Sequence, residues 1–201
     1  MKLSPKQIEI AIKNALETGK WMIRRSNDGK SCSSEANGFC WQPIGVWTEA
    51  PDWNEKPECG GGLHGNGPNS SGYWIRGKDI DFCIVENAIN IDSEKIKCQK
   101  AMVLMRNRLP DDLHVGGNLY LEDTQITSLP DNLHVGGNLY LEDTQITSLP
   151  DNLHVGGSLY LEGTQITSLP DDLHVGGSLY LEGTQITSLP DDLHVGGEII
   201  R

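Results

Sequence analysis

A twenty-residue unit, LPDDLHVGGNLYLEDTQITS, begins at Leu109 and recurs at Leu129, Leu149 and Leu169, with a truncated fifth copy from Leu189 that ends in EIIR. A fixed period of this kind constrains the fold strongly. One unit cannot bury its apolar face alone and must stack on the next. The apolar letters Leu113, Val115, Leu119, Leu121, Ile126 and Leu129 recur in register. The exchanges are of surface type: Asn118 and Asn138 become Ser158 and Ser178, Asp123 and Asp143 become Gly163 and Gly183, and Asp112 alternates with Asn132. Leu119-Tyr120-Leu121 alternates with the period of a half-buried strand. The preceding Gly116-Gly117 suits a turn of low steric demand, and Pro110 fixes a bend. These features predict one short strand per coil, stacked into a parallel sheet with strands about 4.8 Å apart.

The halves of the chain differ in charge. Residues 1–108 carry 15 basic and 13 acidic side chains, and residues 109–201 carry 1 basic and 15 acidic, so nets of +2 and -14 make up the total of -12. The boundary is therefore placed at 108/109, between a small α+β domain and a parallel β solenoid. Clustered Lys and Arg are what phosphate contacts require, so nucleic acid is not expected on the solenoid. A basic protein surface is compatible with it, and so is a purely solubilising role for the charge.

The run LxLxxTQITSLPDxL resembles the short, twenty-residue leucine-rich repeats of bacterial effector proteins. The match lies at Leu119, Leu121, Gln125, Ile126, Thr127, Ser128, Leu129 and Pro130. Thr124, Thr144, Thr164 and Thr184 stand where that family has asparagine. The resemblance implies a leucine-rich-repeat solenoid of five coils with a concave binding side, and a ladder of Thr hydroxyls in place of the Asn ladder. It covers residues 109–201 and offers no match to the ubiquitin-ligase domain that such effectors often carry.

Three rows would line the open side. Tyr120, Tyr140, Tyr160 and Tyr180 form an aromatic row, a residue type favoured at interfaces. Glu122, Glu142, Glu162 and Glu182 form an acidic row whose mutual repulsion a partner's Lys or Arg would relieve. Asn118 and its equivalents form the third. Repeat copying alone would also propagate such rows. A further row, His114, His134, His154, His174 and His194, is expected to serve packing, because ligands one coil apart do not converge on a metal. No metal or cofactor is expected.

The first half reads differently. Ser4-Pro5 followed by KQIEIAIKNALETG predicts a capped helix with Ile8, Ala11, Ile12, Ala15 and Leu16 on one face and Gly19 as its stop. Trp21–Arg25, Gly45–Glu49 and Phe82–Glu86 predict strands. A second helix is predicted from Asp92 or Ser93 to about Asn107, capping the solenoid. Gly38-Phe39, APDW (residues 50–53) and CGGGLHG (residues 59–65) resemble a domain of unassigned function in bacteriophage and bacterial proteins, which implies a source more than an activity. Trp53, Cys59, Gly61 and His64 are the candidate ligand-site residues here. A Cys–His pair can activate a thiolate, and glycines let backbone approach a ligand, but the same stretch suits a simple tight turn. Five cysteines, with no apolar leader at the N-terminus, predict free thiols and a cytoplasmic protein, and no membrane span is expected.

Two functions follow as expectations. One is a protein-binding accessory factor of phage or bacterial origin that uses the concave rows, in the service of interference with a host or defence process. The alternative is an enzyme or a nucleotide- or small-ligand-binding module in residues 1–108, with the repeats as scaffold. The apolar edge Glu198-Ile199-Ile200-Arg201 offers a route to homo-oligomers.

Overall fold

The computed structural model describes residues 3–27, 30–31, 41–58, 61–70, 77–91, 93 and 95–201. They form two compact units, Met1–Arg106 and Asn107–Arg201. The first is an α+β unit and the second a parallel β-solenoid.

Unit one opens with helix α1 (Pro5–Thr18). Ser4 caps it: Gln7 N–H donates to Ser4 Oγ, and Ser4 N–H donates to Gln7 Oε1 at 2.9 Å. Such a capping box stabilises a helix by about 1 kcal/mol. Gly19 ends it at φ 66°, a left-handed conformation that glycine adopts without strain. Ala15 is buried, and Ile8, Ala11, Ile12 and Leu16 are half-buried, so the predicted face is the packed one.

Six strands follow: β1 (Trp21–Asn27), β2 (Lys30–Ser31), β3 (Trp47–Glu49), β4 (Leu63–Gly65), β5 (Asp79–Asn90) and β6 (Ile96–Arg106). The order is β2-β1-β5-β6-β3, all antiparallel, with β4 also on β6. Asn66, just past β4, exchanges two 2.8 Å backbone hydrogen bonds with Ile23 of β1. The sheet thus curls back on itself around Met22, Leu63, Cys83, Val85, Ile96, Cys98, Ala101 and Val103. Gly65 is required at this closure, since a Cβ there would lie 2.8 Å from the Ile23 carbonyl oxygen.

The second helix is corrected to a strand. Residues 96–106 pair with β5 over nine positions and also with β3 and β4. Ala101, Met102, Val103 and Leu104 are buried in succession. A strand covered on both sides reads as a continuous apolar run, which periodicity alone does not separate from a helix. The predicted strands at 21–25, 45–49 and 82–86 lie within or across β1, β3 and β5. Gly38, Phe39, Cys32, Cys40, Cys59, Trp74 and Asp92 lie outside the described residues.

Unit two carries two strands per coil rather than the predicted one. His114–Val115 and its copies form one five-stranded parallel sheet, and Leu119–Tyr120 and its copies form another, ending at Ile199–Ile200. Each apolar residue faces its own copy, so Leu113, Val115, Leu119, Leu121 and Ile126 are nearly inaccessible. Burying each such side chain favours folding by about 1.5–3 kcal/mol.

The Gly-Gly corner joins the two sheets. A Cβ on Gly156 would come within 2.5 Å of the Gly136 carbonyl oxygen, and one on Gly136 within 2.6 Å of that of Gly116. The corner is therefore glycine because the preceding coil occupies the space, not because φ demands it. Left-handed backbone occurs elsewhere, at Asp123, Asp143, Gly163 and Gly183. The Asp-to-Gly exchange in the sequence thus preserves a conformation that Asp tolerates and Gly favours.

The Thr ladder is also corrected. Thr144, Thr164 and Thr184 each donate at 2.7 Å to the carbonyl three residues earlier, within their own coil. The side-chain ladder between coils belongs to Asn118, Asn138, Ser158 and Ser178. Asn138 N–H donates to Asn118 Oδ1 at 2.8 Å, Ser158 N–H to Asn138 Oδ1 at 2.8 Å, and Ser178 N–H to Ser158 Oγ at 3.0 Å. Asn and Ser exchange freely there because both present an oxygen at the same place.

Candidate functional site

The Leu–Tyr sheet turns its leucines inward and its tyrosines outward. Since the strands pair in register, Tyr120, Tyr140, Tyr160 and Tyr180 stack face to face, with centroids 4.6, 4.6 and 4.4 Å apart and planes within 10° of parallel. The rings are half-buried. Asn118 and Asn138 each hold one by donating from Nδ2 to the Tyr120 and Tyr140 hydroxyl oxygens at 3.0 and 2.9 Å. The column ends at Ile200, which pairs with Tyr180.

Two residues beyond each tyrosine stands a glutamate. Glu122, Glu142 and Glu162 are half-buried and Glu182 is exposed. Burial, followed by the charges of Glu162, Glu122 and Asp143, pushes the Glu142 carboxyl up to about 7. The structure thus brings the predicted Tyr and Glu residues into two adjoining columns.

The outward side of the other sheet carries the histidines. Their rings stack with centroids 5.2, 4.4, 4.6 and 6.1 Å apart. Parallel rings stacked one above another aim their nitrogen lone pairs side by side, whereas a metal needs them convergent. Among the described residues no group of three or more His, Cys, Asp or Glu is arranged to hold a metal. Burial, then the neighbouring imidazoles, lowers the basicity of His134 and His154.

In unit one, three of the four predicted residues come together and Cys59 lies outside the described residues. Gly62 N–H donates to Asp52 Oδ1 at 3.2 Å. Gly61, at φ 60°, packs so closely that a Cβ would collide with Asn54 and lie 2.6 Å from the Asp52 carbonyl oxygen. His64 pairs with Lys97 across β4 and β6. Lys97 is fully buried, donates from Nζ to Asn54 Oδ1 at 3.0 Å, and lies 5.7 Å from the Trp53 ring centroid. His64 Nε2 is buried with no hydrogen-bond partner among the described residues, and burial followed by Lys95 and Lys97 lowers its basicity. Asp52, Asn54 and Lys97 were missed by sequence reasoning. Lys97 was hidden in the segment read as a helix, and its only signal is a position opposite His64 that requires the strand pairing to be known.

The two described cysteines are free and buried. Burial pushes the Cys98 thiol up to about 12 and raises Cys83 as well, so neither is a ready nucleophile. A separate buried cluster surrounds Asp81, which accepts from Arg24 at 2.8 Å, Ser26 at 2.9 Å and Arg106 at 2.7 Å. The Arg24 guanidinium in turn lies 3.8 Å from the Trp41 ring centroid. With its acceptor sites filled from within, Asp81 is placed for structure. No described helix is long and apolar enough to cross a membrane. No family model, curated protein or solved structure matches this chain.

Proposed function

We propose that the solenoid is a protein-docking module and that its Tyr and Glu columns receive a partner with a basic surface. The observation that carries this reading is the continuous stack of four half-buried tyrosines beside the glutamate column. Tyrosines locked by stacking lose little further freedom on binding, so they suit an anchor role. The acidic column supplies complementarity to Lys and Arg and favours fast, oriented encounter. The resemblance to effector-type leucine-rich repeats, and of unit one to a phage and bacterial domain, supports an accessory factor acting on a host or defence protein in the cytoplasm.

The test compares capture from host lysate by the wild type, by Tyr140→Ala with Tyr160→Ala, and by Thr147→Ala with Thr167→Ala on another side of the coil. A specific partner should be lost by about tenfold or more from the Tyr variant, as for a truncated aromatic hot spot, and retained by the Thr variant. Equal retention by both, with the fold intact by circular dichroism, rejects the Tyr column as the docking site.

A second reading places a small ligand at His64, Lys97 and Trp53. The buried His64 Nε2, which has no hydrogen-bond partner among the described residues, favours it.

A further inference from the structure

The tyrosine column has a fixed pitch. Successive ring centroids lie 4.6, 4.6 and 4.4 Å apart, with planes within 10° of parallel. Every second ring therefore recurs after twice the coil spacing, about 9 Å. Stacking occupies the ring faces, so a ligand lying along the column meets ring edges at this period. Regular peptide conformations differ in whether they can match it. An α-helix repeats every 5.4 Å or so and slips by about 1 Å per coil. An extended strand returns to the same face after about 6.7 Å, which fits neither one coil nor two. A polyproline II helix has three residues per turn at about 3.1 Å each and repeats after about 9.3 Å. Of the three, only the polyproline II helix stays in step with alternate tyrosines.

Charge narrows the ligand further. Residues 109–201 hold 15 carboxylates and one basic side chain, Arg201, so positive segments are favoured over neutral or acidic ones. From pitch and charge together we infer that the column receives a proline-rich segment carrying Lys or Arg at every third position, laid along the stack as a polyproline II helix. This deepens the docking reading and rests on it for the choice of face. Every third residue of such a helix lies along one edge. Its cations therefore run beside the column on the carboxylate side while its prolines pack against the tyrosine edges. A polyproline II segment is ordered before it binds, which lowers the entropy lost on docking, and aromatic-lined surfaces are its usual receivers. The four rings span about one and a half of its turns, so the contact is short and suits a transient partner.

Fluorescence anisotropy with three labelled peptides on the full chain, at about 0.15 M salt, tests it. One peptide has four Pro-Pro-Arg repeats. The second has the same composition with its arginines consecutive, and the third has four Gly-Gly-Arg repeats, with the same charge on a flexible backbone. The Pro-Pro-Arg peptide should bind about tenfold more tightly than either of the others. Its binding should fall by about tenfold in Tyr140→Ala with Tyr160→Ala, whose fold is checked by circular dichroism. Equal binding of all three peptides leaves charge alone as the cause and overturns the inference, as does undiminished binding to the Tyr variant. If no peptide binds while a lysate partner is still lost from the Tyr variant, the polyproline geometry falls and docking at the column stands. If the in-register peptide binds best but no lysate partner depends on the tyrosines, the ligand geometry stands and docking of a host protein there falls.

Discussion

Residues 3–106 and residues 107–201 solve the same problem in opposite ways. In unit one each residue has a job of its own. Asp81 organises two arginines and a serine, Asn66 closes the sheet onto β1, and Gly61 fits under Asn54. In unit two a single solution is translated coil by coil, and each residue's neighbour is its own copy. The contrast shows where cost concentrates. A change in unit one removes a unique contact, while a change in unit two acts according to whether a coil precedes or follows it.

The largest expected effect is Asp81→Ala. It would leave the buried Arg24 and the half-buried Arg106 without their shared carboxylate, and breaking a buried ion pair such as Arg24–Asp81 costs about 3–5 kcal/mol. All five tryptophans fall between residues 21 and 74 and four of the five tyrosines lie in the solenoid. Denaturation followed by Trp fluorescence should shift to lower denaturant. The near-ultraviolet dichroism of the Tyr stack should change much less. If both probes shift together, the units do not unfold independently.

Next comes a pair of identical substitutions at different heights in the stack. Gly156→Ala forces a methyl against the Gly136 carbonyl oxygen and should cost about 1–3 kcal/mol. Gly116→Ala is in the first coil, with no coil before it, and should cost well under 1 kcal/mol. Equal costs for the two would show that glycine is needed at the corner for backbone conformation, contrary to the stacking argument.

The smallest effect is on pH dependence, and it distinguishes the two faces of the solenoid. His134 and His154 are less basic in the folded state than the ordinary 6.5. The unfolded chain therefore binds protons first, and their contribution is present above about pH 6.5 and lost as pH falls. Glu142 runs the other way. Its carboxyl is raised to about 7, so its contribution is present below the ordinary carboxylate range and lost as pH rises through about 7. Below about pH 6.5 the two contributions therefore oppose each other, so His134→Gln with His154→Gln should raise the melting temperature at about pH 5 relative to that at about pH 7.5, and a variant whose pH dependence matches the wild type would remove the imidazole column from the account.

The sequence made the solenoid legible because periodicity is a global signal: the inward Leu and Val positions and the Tyr and Glu columns could be placed from spacing alone. Its interior details were less so. The second strand, His-Val, is two residues long and gives no alternation to read, and the Thr hydroxyls were assigned between coils when a carbonyl three residues back was nearer. In unit one, α1 was readable from local chemistry, with its Ser cap and Gly stop. The strand at 96–106 was not, because its character is decided by β5, β3 and β4, which are distant in sequence. The Lys97–His64–Trp53 cluster was hidden for the same reason.

The Gly-Gly corners have one more consequence, and it concerns inheritance. Each corner is shaped by the identical corner beside it, so removing or duplicating one whole unit by replication slippage leaves every remaining junction as it was. The length of the tyrosine strip is then a heritable variable that changes in steps of one coil without a new fold being found. Near-identity among the copies keeps each such product compatible with the stack.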